Sequence, residues 1–98
     1  MDSKNSIRIR ECCVTYGIEE SFVFDLQHYE VIHIESIDEE PYISELELPV
    51  LEKMIRMHQE LEINPQGLQA IHHLLEKVTG LQEEVSALRR KLNRFEGL

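Results

Sequence analysis

Ile71, Leu74, Val78, Leu81, Val85, Leu88, Leu92 and Phe95 are separated alternately by three and four positions near the end of this chain. That spacing writes one narrow apolar stripe along a single α-helix, with Ile71, Val78, Val85 and Leu92 at a and Leu74, Leu81, Leu88 and Phe95 at d of a heptad. A stripe so narrow is a coiled-coil seam, and it needs the matching face of a second helix. Asn64 is placed to cap the helix. Pro65 suits the first turn, where its missing N–H has no intrahelical acceptor, and Gly97 suits the end. The expected helix runs for about 32 residues, roughly 48 Å. Gly80 lies inside it, away from the seam, at a cost of about 1 kcal/mol relative to alanine. Seam residues contributing about 1.5 to 3 kcal/mol each absorb that cost. The competing arrangement folds the helix back on the residues before it.

The 98 residues make one domain with an extension, too few for two independent cores. Charge marks the division. Residues 1–62 hold five Lys or Arg against fifteen Asp or Glu, a balance of −10, and residues 63–98 hold five against four, or +1. An acidic head repels phosphate and attracts basic surfaces, although acid also serves solubility. No apolar run is long enough to span a bilayer, and the opening MDSKNS lacks the hydrophobic stretch of a signal peptide. The chain reads as cytoplasmic. Cys12 and Cys13 are adjacent, which disfavours a disulfide between them and fits a reducing compartment or an ordinary core.

Along the head, Ile9, Cys12, Cys13 and Tyr16 share a helical face that ends at Gly17. A second helix is expected over 20–29, with Phe22, Val23, Leu26 and Tyr29 inward and Glu19 and Glu20 at the positive end of its dipole. Two short helices about a glycine turn spell helix-turn-helix. The runs Val31-Ile32-His33-Ile34 and Pro41-Tyr42-Ile43, separated by Asp38-Glu39-Glu40, read as a β-hairpin wing with an acidic tip. A third helix places Val50, Leu51, Met54, Ile55 and Leu61 inward. Ser44 and Glu47 have capping-box spacing, but Pro49 would then fall within the helix, which sets its start between Glu45 and Leu48. The expected fold is mainly α: an acidic winged helix-turn-helix head with a short hairpin wing over 1–62, then a coiled-coil dimerisation helix over 63–98.

A helix-turn-helix usually serves DNA, and what matters is the chemistry its second helix offers the groove. Here it offers Glu19, Glu20, Asp25 and Glu30, and no Lys or Arg occurs from residue 11 to residue 52. Specific DNA binding rests on phosphate neutralisation plus base contacts worth about 1 to 3 kcal/mol each, and this helix lacks both. Arg8 and Arg10 are too few to reverse that. Five histidines and two cysteines show no ligand spacing, so no metal or other cofactor is expected. Phosphate-binding glycine loops and nucleophile elbows are absent from the sequence, and its carboxylates occur in runs that read as solvated faces, which argues against an enzyme. Phe24 lies about 200° around its helix from Phe22 and so off the core face. Beside Asp25 and His28 it can anchor a partner, or else pack on the wing or long helix of its own chain. Met54 and Met57 read as core filler.

The order IRECCVTYGI, the wing with Pro41-Tyr42-Ile43, and the run from Arg56 to Leu68 leading into the coiled coil resemble the CbpM-type chaperone modulators, relatives of the MerR regulators. The similarity covers nearly the whole chain and lies in its layout. It implies a winged-helix head that binds the J-domain of a DnaJ-like cochaperone, CbpA, and restrains its stimulation of Hsp70 and its DNA binding, with no cofactor. The charges leave the orientation of the long helices open, since a parallel pair sets Glu84 beside Arg89 and Lys91 beside Glu96 of the other copy and an antiparallel pair sets Lys77 beside Glu84. The resemblance to MerR relatives favours the antiparallel form. The resemblance transfers no contact residues, so Phe24, Asp25, His28, Asp38, Glu39 and Glu40 are the partner-facing residues expected from charge and exposure. Two rivals are a MerR-type transcription factor without an effector domain and a coiled-coil adaptor unrelated to chaperones.

Overall fold

The computed structural model describes residues 5–97. In chain order it contains β1 (Ser6–Arg8), α1 (Ile9–Tyr16), α2 (Glu20–His28), β2 (Ile34–Ile37), β3 (Glu40–Ser44), a 3₁₀ turn (Glu45–Glu47), α3 (Leu48–Leu61) and α4 (Pro65–Glu96). This is the expected mainly α winged helix-turn-helix head with a long C-terminal helix. The wing is larger than the hairpin read from sequence, because β1 joins it in an antiparallel sheet of order β1-β3-β2. Ile7, Ile43 and Ile34 stand in one row across the sheet, and Arg8, Tyr42 and Glu35 form the next. Since neighbouring positions face opposite ways, the isoleucine row turns to the core and the polar row outward.

Gly17 makes the turn between α1 and α2 in the left-handed region, φ 66° and ψ 42°, and the Ile18 amide bonds the Cys13 carbonyl at 3.0 Å. Helix α2 stops where Glu30 also turns left-handed, with the Glu30 amide on the Gln27 carbonyl and the Val31 amide on the Leu26 carbonyl, both at 2.9 Å. Those closing bonds correct the reading of Val31 and Ile32 as strand. Both are buried in the loop as part of the core, and pairing begins only at Ile34. The hairpin tip is Asp38 and Glu39 alone, each with positive φ as a two-residue primed turn requires. Glu40 is in β3, so it is not a tip residue.

Ser44 accepts the Leu46 amide at 3.2 Å and caps the 3₁₀ turn, while Glu47 reaches away to take the His33 amide at 2.9 Å and 3.1 Å. The reciprocal capping box is therefore not formed. Pro49 falls in the first turn of α3, where it breaks no hydrogen bond. Leu51, Met54 and Ile55 are buried as expected, but Leu61 is 65% exposed because the helix ends there and the chain turns at Glu62. His58 packs the turn down: its ring stacks on Phe22 at 4.4 Å, and Nδ1 lies 2.7 Å from the Ile63 carbonyl, to which it donates. Asn64 caps α4 by accepting the Gly67 amide at 2.7 Å. The first turns of α4 belong to the head, with Leu68 fully buried and Gln69 donating to the Tyr29 carbonyl at 2.9 Å. From His73 to Ser86 every residue of α4 is exposed. The radius of gyration, 17.8 Å, compares with about 12.6 Å for a compact domain of this length.

Candidate functional site

Cys12 and Cys13 are both buried in the core, and burial raises the thiol pKa of each, so they stay protonated at neutral pH. Among the described residues no three His, Cys, Asp or Glu side chains gather as a metal site. No helix among them is long and apolar enough to cross a membrane. What the described surface offers is charge and uncovered apolar area.

Helix α2 presents Phe24, Asp25 and His28 together on its exposed face, with Phe24 38% exposed. Their spacing of one and four positions places them within one turn. Glu19 and Glu20 precede them and Glu30 follows, so the face that a recognition helix would turn to DNA is acidic. The wing tip, Asp38 and Glu39, is exposed on a separate element. Glu40 is half-buried and occupied: Arg10 lies 3.4 Å from it and Arg8 3.9 Å, while Arg8 Nε donates to the Tyr42 hydroxyl at 3.0 Å. The two arginines ahead of the acidic stretch are thus tied to the wing.

Tyr16 joins α1 to α3 by donating its hydroxyl to Glu52 at 2.6 Å, and this bond, aided by burial, raises its pKa to about 12. The folded chain therefore holds a proton that the unfolded chain loses near the ordinary value of about 10. Its contribution to stability is complete below pH 10 and lost as pH rises through about 12. Urea midpoints measured from pH 9 upward are expected to fall more steeply for the wild type than for Tyr16→Phe, and equal slopes would contradict this.

The heptad stripe of α4 is bare. Leu74, Val78, Leu81, Val85, Leu88 and Leu92 are between 46% and 63% exposed, and Phe95 is 76% exposed. Ile71, nearest the head, is half-buried. On the other side of α4, sequence reasoning missed a pair of clefts of about 400 Å³ each, formed where α4 leaves the head. They share Val50, His72 and Glu76 and so make one groove. Its floor holds Val31, Val50, Met54 and Leu75, and its rim carries Glu30, Glu47, Glu76 and Glu83 opposite the single Lys53. Glu76 lies 3.6 Å from His72, and Glu47 lies 3.6 Å from His33. The sequence carried one signal for it: Leu75 is a large apolar residue at an e position, beside the seam but outside it.

Fold and surface together define a winged helix-turn-helix regulator in which the usual DNA-facing side is acidic. The model of the MerR HTH family of regulatory proteins matches residues 7–90, and the chain belongs to that family. It is similar to the chaperone modulatory protein CbpM of Pseudomonas entomophila (strain L48), with 27% identity over 88 residues, 89% of this chain and 87% of that protein. The match agrees with the layout resemblance noted from the sequence.

Proposed function

We propose that the chain is a non-enzymatic cytoplasmic regulator that binds the J-domain of a DnaJ-like cochaperone, of the CbpA type, and inhibits its Hsp70 stimulation and its DNA binding. The observation that carries this reading is the acidic face of α2, exposed where the family's fold ordinarily meets DNA. A surface of that charge suits a basic partner, and J-domains present a basic helix to Hsp70. Occupying that helix suffices as mechanism, because two proteins then compete for one surface. Neither a cofactor nor a reacting group is required. The homodimer forms through the seam of α4, leaving both heads free.

In this reading Phe24 is the anchor, flanked by Asp25 and His28. Asp38 and Glu39 contribute long-range attraction, and Glu40 acts mainly by holding Arg8 and Arg10. Rim charges govern association rate and salt sensitivity, whereas a desolvated aromatic governs dissociation. In surface plasmon resonance against the J-domain, changing Asp38 and Glu39 to Lys is expected to slow association and flatten its salt dependence. Phe24→Ala is expected to speed dissociation, by an amount worth about 1 to 3 kcal/mol. Folded variants that bind like wild type would place the contact elsewhere.

The helix-turn-helix topology favours a second reading, a MerR-type transcription regulator without an effector domain. Submicromolar binding to duplex DNA at about 150 mM salt, with a steep salt dependence, would replace the first reading by this one.

A further inference from the structure

We infer that the groove between the head and α4 is a docking site for a basic amphipathic helix of the partner, an inference that rests on the J-domain reading for the identity of that partner. The residues that line it on α4, including His72, Glu76, Thr79 and Glu83, centre roughly 160° around the helix from the seam at 100° per residue. A second copy on the seam therefore leaves the groove open, and α4 serves two partners with two faces.

The shape fits a helix. The groove follows α4 from Gln69 to Glu83, which at 1.5 Å per residue is roughly 21 Å, or about four turns of a docked helix. Its accessible apolar surface is that of Val50 and Leu75, backed by the buried Val31 and Met54, and it accepts apolar residues at helical spacing, the usual way an amphipathic helix is held. Small residues open the distal wall: nothing stands within 4 Å of a Cβ placed on Gly80.

Charge selects the helix. Four carboxylates against one lysine leave the rim at −3 with the histidines neutral. Lys and Arg on the docked helix can lay their stems on the floor and extend their heads to Glu30, Glu76 and Glu83. Glu30 and Tyr29 are shared with the end of α2, so the exposed face bearing Asp25 and His28 runs into the groove. A helix seated in the groove thus reaches the surface assigned above to the J-domain.

Gly80→Phe adds a bulky side chain to the groove at a position open at Cβ and replaces the poorest ordinary helix former, and circular dichroism checks that the fold is kept. Glu76→Lys combined with Glu83→Lys reverses the rim charge on an exposed stretch of α4. Calorimetry with the full chain and the J-domain is expected to show affinity reduced about ten-fold or more for each variant. Folded variants that bind as wild type does would overturn the proposal. A shift of the Gly80→Phe variant from dimer to monomer in sedimentation would also overturn it, by assigning the groove to a second copy. Should wild type fail to bind the J-domain, the functional reading falls and the groove is judged separately with a synthetic 16-residue helix of Leu, Lys and Arg. Saturable NMR shifts at Val50, Lys53, Leu75 and Glu83, lost in Gly80→Phe, would support the site, and their absence would overturn it.

Discussion

Leu81→Asp is expected to turn a dimer of this chain into a monomer with a folded head, raising the dissociation constant by about 1,000-fold or more. Leu81 sits near the middle of the uncovered stripe and is 59% exposed in the single chain. Covering a leucine contributes about 1.5 to 3 kcal/mol, and symmetry removes two of them at once. Two carboxylates would also have to be desolvated or the seam opened around them, which adds to the loss. The head should survive, because its core lies on the other elements and on the first turns of α4. The distal helix should not, since a long helix without a partner is only marginally stable in water. Sedimentation should therefore report a monomer and circular dichroism a loss of helix confined to α4. A wild type that already sediments as a monomer at micromolar concentration would overturn the dimer.

Such a dimer would have a consequence for charge. Heads at −10 and distal helices rich in Arg89, Arg90, Lys91 and Arg94 make each chain dipolar. Side-by-side heads repel, whereas an antiparallel seam sets each basic tail towards the other copy's head. Exposed pairs such as Lys77 with Glu84 of the other copy add little by themselves, so in such a dimer the apolar stripe would supply the energy and the charge distribution would favour the antiparallel orientation.

Helix α4 was legible in the sequence because its determinants are local: a cap at Asn64, Pro65 in the first turn and a heptad repeat. The cores of α1 and α2 were legible for the same reason, through the three-and-four spacing of Ile9 and Cys12 and of Phe22 and Leu26. The wing was only partly so. Val31 and Ile32 have strand chemistry, but the left-handed turn at Glu30 sends them into the core, and three residues of β1 are too few to show alternation. Leu61 misled because helical phase cannot report that a helix ends where its last apolar residue points. Phe24 followed from phase alone, whereas the pairing of Glu40 with Arg10 links residues 30 positions apart and needs the folded wing. The groove was hidden for a related reason. It is lined by α3, α4 and the loop after α2, and no local pattern encodes the space between separate elements.

Leu68→Ala is expected to destabilise the head by about 2 to 5 kcal/mol, although the residue lies in the helix proposed for association. Leu68 is fully buried, and the described core holds only thirteen buried apolar side chains, so few neighbours can collapse into the cavity. Total stability of a domain this small is about 5 to 15 kcal/mol, which makes the loss a large fraction of it. The thermal midpoint should fall by roughly 10 °C or more at 4 to 8 °C per kcal/mol. Leu92→Ala removes the same atoms from the far end of the same helix, where the residue is 56% exposed, and should leave the head unchanged while weakening the dimer. The comparison separates two uses of one helix. Near Asn64 it closes the core and fixes the groove wall through Gln69 and Tyr29, and from Ile71 onward it carries the proposed seam. If Leu68→Ala melts with wild type, the first turns of α4 are not part of the head's cooperative unit, and the groove would have no fixed wall.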